Sequence, residues 1–276
     1  MSFKAKTLRD SARSRRVHTQ NITTGPESTP RWRRPTASSE VHRLSAAPPE
    51  SGVQPKPTTG HRARPRRSLQ IVLLSDMHEL HREVDVPDGD ILLCAGDWTM
   101  FSRSLRSIVD FNDWLGELPH KHKLCVAGNH ETYLQTTPTN RSLLTNAVLL
   151  MNEGVEIEGL RIWGSPVTPV GPAFSMRSAE ERRRLYAAIP ANTDILITHG
   201  PPRGILDRAP GSNFHSGDQE LLDAVNRVRA KLHVFGHVHG AHGLFATRET
   251  LFANVALLGP NGDIDKNPIV LGMEQR

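Results

Sequence analysis

Five short apolar runs in this chain each end in a cluster of Asp, Asn or His, and that pairing limits what the chain can fold into. Leu69–Leu74 leads into Ser75-Asp76-Met77-His78, Ile91–Ala95 into Gly96-Asp97, and Lys123–Ala127 into Gly128-Asn129-His130-Glu131. Asp194–Thr198 leads into His199-Gly200, and Leu232–Phe235 into Gly236-His237-Val238-His239. Apolar, β-branched runs of this length read as buried strands. Helical patterns lie between them. Ser104–Leu118 carries Leu105, Ile108, Val109, Trp114 and Leu115 at helical spacing and stops at Pro119. Ser178–Ile189 opens with the capping pair Ser178 and Glu181 and ends at Pro190; Asp218–Val228 sets Leu221, Leu222, Val225 and Val228 on one face. Hairpins are expected in Val155–Trp163 around Glu158-Gly159 and in Leu244–Leu258 around Arg248-Glu249. Strands alternating with helices predict a layered α/β domain. In open α/β sheets ligands gather beyond the carboxyl ends of the strands, and all five clusters fall there.

The residue types in the clusters bind divalent metals. Asp76 and His78 are two residues apart, as are His237 and His239, so each pair can aim a ligand at a neighbouring cation. Asp97 supplies a carboxylate with two oxygens, able to bridge two ions. Asn129 supplies a neutral amide oxygen, and His199 one more imidazole. Seven ligands serve two ions with three or four each, leaving room for water and substrate. Mixed imidazole and carboxylate suits Mn, Fe, Zn, Ni or Co rather than Mg or Ca. His130, next to Asn129, fits better as an acid that protonates a leaving alkoxide, since its unperturbed pKa is near 6.5.

Charge separates the chain into two parts. Residues 1–68 carry 15 Lys/Arg against 4 Asp/Glu, the remainder 19 against 25. The net charge of +5 therefore describes a basic tail on an acidic body, which argues against a DNA-binding domain. The tail is rich in Pro, Ser, Thr and Arg, has little apolar periodicity, and is expected to be disordered, with 69–276 forming the domain. Its Arg62–Arg67 cluster could touch nucleic acid, but a solvated tail explains it better. The composition also matches an organelle transit peptide. No apolar stretch is long enough for a membrane span and no apolar leader is visible, so a cytoplasmic location is expected. Cys94 and Cys125 each sit in a strand run and are expected as buried thiols on adjacent strands.

The ordered motifs D-x-H (Asp76, His78), G-D (Asp97), G-N-H-E (Asn129 to Glu131), T-H-G (His199) and G-H-x-H (His237, His239) resemble those of the calcineurin-like metallophosphoesterases over roughly residues 69–240. Gly164-Ser165-Pro166, Thr198-His199-Gly200-Pro201-Pro202 and Leu232-His233-Val234-Phe235-Gly236-His237 further resemble the class III phosphodiesterase-like branch, the metallophosphoesterase-domain-containing proteins. The chain departs from that branch over Val167–Met176, which bears on substrate more than on metal. The resemblance implies a four-layer α/β/β/α sandwich. It also implies one metal on Asp76, His78, Asp97 and His239, a second on Asp97, Asn129, His199 and His237, and His130 as the acid.

A hydroxide bridging two such ions would attack phosphorus in line with the leaving oxygen. The expected activity is hydrolysis of small phosphodiesters, cyclic nucleotides among them. The alternatives are a phosphomonoesterase or protein phosphatase, a non-catalytic nucleotide-binding regulator, and a nuclease guided by the tail. His215, in the polar loop Ser212–Gly217, is a candidate to line the substrate pocket, and Asn254, between the strands of the last hairpin, is another. His81, His120, His122, His233 and His242 are expected as surface or strand histidines, and Trp98 as a core residue rather than a base-packing one.

Overall fold

The computed structural model describes residues 68–101 and 104–274; the expected tail lies outside them except for Ser68. In chain order the elements are β1 (Ser68–Leu74), β2 (Ile91–Cys94), α1 (Leu105–Glu117), β3 (His122–Cys125), α2 (Thr132–Thr136), β4 (Val148–Leu149), β5 (Glu153–Ile157) and β6 (Leu160–Ser165). They continue with α3 (Ala179–Ala187), β7 (Ile195–Thr198), α4 (Gln219–Val228), β8 (Leu232–Phe235), β9 (Gly243–Ala246), β10 (Leu251–Asn254) and β11 (Ile269–Glu274). They form two sheets, ordered β11-β1-β2-β3-β4 and β5-β6-β7-β8-β10-β9. Strands β1 to β4 are mutually parallel, as are β6, β7, β8 and β10; β11, β5 and β9 pair antiparallel at the edges.

The side-chain period of two sorts the strands' residues into layers. Leu69, Ile71, Leu73, Ile91, Leu93 and Leu124 of the first sheet pack on Val155, Ile162, Ile195, Ile197 and Val234 of the second. The alternate residues Val72, Leu74, Leu92 and Cys94 face outward onto Ile108, Phe111, Trp114 and Leu115 of α1. On the far side Trp163, Leu196, Phe235 and Phe252 meet Tyr186 of α3 and Leu221, Ala224, Val225 and Val228 of α4. The layers are therefore α/β/β/α, the expected sandwich. Both faces of the central strands are covered, so those strands read as unbroken apolar runs. Each fully buried Leu or Ile contributes roughly 1.5–3 kcal/mol.

The helices are held by local chemistry. Ser178 caps α3 by accepting from the Glu181 amide at 3.3 Å, and Asp218 caps α4 by accepting from the Glu220 amide at 3.1 Å. Asp218 also takes both arms of Arg182, at 2.8 and 3.1 Å, which ties α3 to α4. In α1 the buried face is Ile108, Phe111, Trp114 and Leu115; Leu105 and Val109, expected on it, are exposed. The hairpin between β5 and β6 turns at Glu158 (φ 51°) and Gly159 (φ 77°), the two positive φ values of a type I′ turn. The second hairpin joins β9 and β10, closed by the Thr247 amide on the Thr250 carbonyl at 2.9 Å. Cys94 and Cys125 sit opposite each other in the β2–β3 register as buried thiols. Among the described residues no helix is long and apolar enough to cross a membrane.

Candidate metal centre

The loops that follow β1, β2, β3, β7 and β8 converge. Three groups of side chains each lie with their ligand atoms within 4.8 Å of one another: Asp76, His78 and His239; Asp97, His199 and His237; and His78, Asp97 and His130. Asp97 belongs to two of them. Its Oδ2 is 3.2 Å from His199 Nε2, 3.8 Å from His130 Nε2 and 3.9 Å from His78 Nε2. Asn129 Oδ1 lies 2.9 Å from His199 Nε2, and His237 Nδ1 lies 3.2 Å from the same nitrogen. On the other side His78 Nε2 and His239 Nε2 are 3.3 Å apart, with Asp76 Oδ1 3.3 Å from His239. Ring nitrogens from different loops thus aim at common points together with carboxylate oxygens. That nitrogen and oxygen donor set fits borderline divalent ions.

The backbone is bent to achieve this. Asp76 (φ 53°), His78 (φ 44°), Asp97 (φ 50°) and His237 (φ 67°) are all left-handed, at a cost of order 1–3 kcal/mol each. Local hydrogen bonds hold them there: the Asp76 amide donates to Gly96 O and the His78 amide to Asp97 O, each at 3.0 Å. The motif glycines clear space for carboxylates of other loops. A Cβ on Gly236 would collide with Asp76 Oδ2, and one on Gly128 with Asp97 Oδ1. Gly171 does the same for Asn129, whose Cβ would be 2.6 Å away, and the Ala173 amide donates to the Asn129 carbonyl at 3.0 Å. The departing segment Val167–Met176 therefore forms a wall beside Asn129.

Burial and neighbouring charge set the protonation states. Burial raises the Asp76 carboxyl, but the contact with His239 and the charges of His199 and His78 outweigh it and hold it well below the usual range. Asp97 is likewise raised by burial and lowered further by His199. His199 is disfavoured as a cation by burial, yet Asp97 and Asp76 push it up to about 10. His237 is pulled down to about 4 by burial and by His199. Burial also lowers His78 and His130.

Several supporting residues come from outside the pattern of ligands. Glu131, fully buried, accepts from the amides of Gly128 (2.5 Å), Asp97 (3.0 Å) and Thr99 (2.9 Å) and from Thr99 Oγ1 (2.9 Å). It fastens the loop after β2 to the loop after β3; burial and the Asp97 charge raise it to about 7. Asn254, a candidate pocket residue by sequence, is fully buried. Its amide donates to Leu206 O (3.2 Å), Gly236 O (3.5 Å) and Val238 O (3.1 Å), holding the His237–His239 loop. His215 lies outside the three groups, with Nδ1 2.9 Å from Asp207 Oδ1. His81, His120, His122, His233 and His242 join none of the groups; His81 and His120 are buried in connecting segments rather than lying on strands or at the surface. Trp98 is buried and stacks on Phe111 at 4.4 Å and 10°, as a core residue.

Comparison with known proteins adds three findings. Residues 69–241 match the family model of the calcineurin-like phosphoesterases. The chain is 36% identical over 218 residues to UPF0046 protein K07C11.7 of Caenorhabditis elegans, covering 73% of this chain and 74% of that one. It is 34% identical over 237 residues to metallophosphoesterase domain-containing protein 1 of Homo sapiens, covering 76% and 72%. In fold it is similar to the crystal structure of TT1561 of Thermus thermophilus, with a TM-score of 0.50, 12% identity, and 76% of this chain and 100% of that one covered.

Proposed function

The chain belongs to the calcineurin-like phosphoesterases, metal-dependent hydrolases of phosphate esters, and from that premise we propose that it is a dinuclear phosphodiesterase. The observation that carries this reading is Asp97, one buried carboxylate whose Oδ2 lies between His78 at 3.9 Å and His199 at 3.2 Å. Asp76, His78, Asp97 and His239 would hold one ion, and Asp97, Asn129, His199 and His237 the other. Two ions so held supply an acidified water and neutralise charge growing on phosphorus. The protein's own part is positioning and proton transfer. His130 stands at the rim with Nε2 3.8 Å from Asp97 Oδ2, packed edge-on against His78 at 4.5 Å, within reach of a leaving oxygen. His215, held by Asp207 and partly exposed, is assigned to the substrate mouth.

Preference for a diester rests on charge. Among the described residues the ion pairs of Asp76 and Asp97 are all with histidines. Among the described residues no guanidinium or ammonium pairs with Asp76 or Asp97 to offset a dianionic monoester, whereas a monoanionic diester needs less neutralisation. Hydrolysis of bis(p-nitrophenyl) phosphate against p-nitrophenyl phosphate, after chelation and readdition of Mn²⁺, tests the assignment. Metal-dependent turnover favouring the diester is expected, and His130→Ala should lower it roughly 10²–10⁴-fold at unchanged metal content. Preference for the monoester would make the protein a phosphatase. Bound metal without turnover of either would make it a binding protein.

A further inference from the structure

The loop from Asp97 to Phe101 is tied down almost residue by residue. The amides of Asp97 and Thr99 donate to Glu131, the Met100 amide to Glu79 Oε1 at 3.2 Å, and the Phe101 carbonyl accepts from Thr132 Oγ1 at 2.7 Å. The loop delivers Phe101 at φ 59°. A bulky residue adopts that left-handed backbone only where its surroundings over-determine it, and such strain gathers at functional sites.

The ties bring the Phe101 ring flat onto the imidazole of His130, with centroids 4.1 Å apart and planes at 26°. One face of the phenyl ring is thereby covered. Phe101 is nevertheless 42% exposed, so the rest of the ring is open to solvent at the rim of the metal centre. The core does not need it. The aromatic stack of Trp98, Phe111 and Trp114 behind the first sheet forms without Phe101. An exposed apolar ring fixed in a strained position beside a charged centre has the form of a stacking platform.

We propose that the open part of Phe101 is a subsite for a planar ring carried by the esterifying group of the substrate, several bonds from phosphorus, while the phosphate would sit on the ions held by Asp97 and its neighbours. The spacing follows from the stack: the phosphate is reached at the edge of the His130 ring, and the platform lies beyond its face. The proposal rests on the phosphoesterase reading of the centre. The shared chemistry is a flat ring, either a simple aryl group or a nucleobase.

Binding to the metal-loaded full chain tests it by calorimetry, with two ligand pairs that differ by a ring. The pairs are 3-phenylpropylphosphonate against propylphosphonate, whose P–C bonds resist hydrolysis, and adenosine 5′-monophosphate against ribose 5-phosphate. In at least one pair the ring-bearing member is expected to bind about tenfold more tightly, the size of one stacking contact. Which pair shows the preference identifies aryl or base. Phe101→Leu should reduce the ratio below about threefold, and Phe101→Trp should keep it. Equal binding within both pairs, or a ratio unchanged in Phe101→Leu, overturns the proposal. So does a Phe101→Leu variant that loses turnover on ring-bearing and ring-free diesters alike at an unchanged binding ratio, because Phe101 would then act only through His130. Ring preference without hydrolysis would uphold the subsite and overturn the catalytic reading, whereas hydrolysis without ring preference would do the reverse.

Discussion

At Asp97 a single carboxylate faces His78, His130 and His199, and its removal affects both ligand groups at once. Asp97→Ala is expected to empty the centre, whereas His237→Ala, which touches one group, should retain about one ion per chain. Metal content of the purified variants after dialysis measures this; a full single ion on Asp97→Ala would show that the two sites are independent. Without an ion His199 stays protonated up to about pH 10 beside Asp97 and Asp76, despite its burial. Ligation must displace that proton, so ion uptake should release acid and weaken as pH falls. The candidate ligands were legible as a pattern, because Asp, Asn and His stand immediately after apolar runs. Glu131 was visible as a letter of its motif but not as a clamp. Its partners Asp97 and Thr99 come from another loop, and only their convergence gives it four donors.

Among the elements, β8 contains a histidine that behaves as part of the core. Thr198 Oγ1 donates to Gly200 O at 2.7 Å, so the 2.9 Å contact with His233 requires His233 Nε2 to carry the hydrogen and donate. Burial pulls His233 down to about 3. Its pKa is depressed from an ordinary value near 6.5, so the folded state binds this proton later than the unfolded state. Stability present above about pH 6.5 is therefore lost as pH falls toward 3, by an amount of the order of a few kcal/mol. Denaturant titrations of His233→Leu should show a shallower decline between pH 7 and 4 than the parent. Parallel declines would mean the acid sensitivity lies in the carboxylates alone. The central strands were legible from apolar runs, and the helices from spacing and the Ser178 cap. The face of α1 was misjudged at Leu105 and Val109, because a helical period fixes which residues align but not which stripe meets the sheet. Strand β11 went unread although Ile269, Leu271 and Met273 alternate with Val270, Gly272 and Glu274. Its partner β1 lies about two hundred residues away, and nothing local announces the pairing.

Over the whole molecule the first strand is paired on both sides, by β2 and by β11, so the described elements close on themselves between Ser68 and Glu274. A protein lacking residues 1–60 is accordingly expected to keep its melting temperature and its diester turnover. Loss of turnover with a lower salt sensitivity of substrate affinity would instead give the basic segment a part in binding. The sequence by itself determined the alternation of strand and helix, the burial of the central strands, and the placement of Asp, Asn and His at the strand ends. Each of these follows from short-range pattern: side-chain period, caps, and polar residues at the ends of apolar runs. Only the tertiary structure decided that Asp97 lies within reach of three histidines, that Asn254 braces the His237–His239 loop, and that Phe101 lies on His130. Those contacts join loops that the chain separates by up to about a hundred residues, and their distances are set by how two sheets pack, which no local pattern encodes.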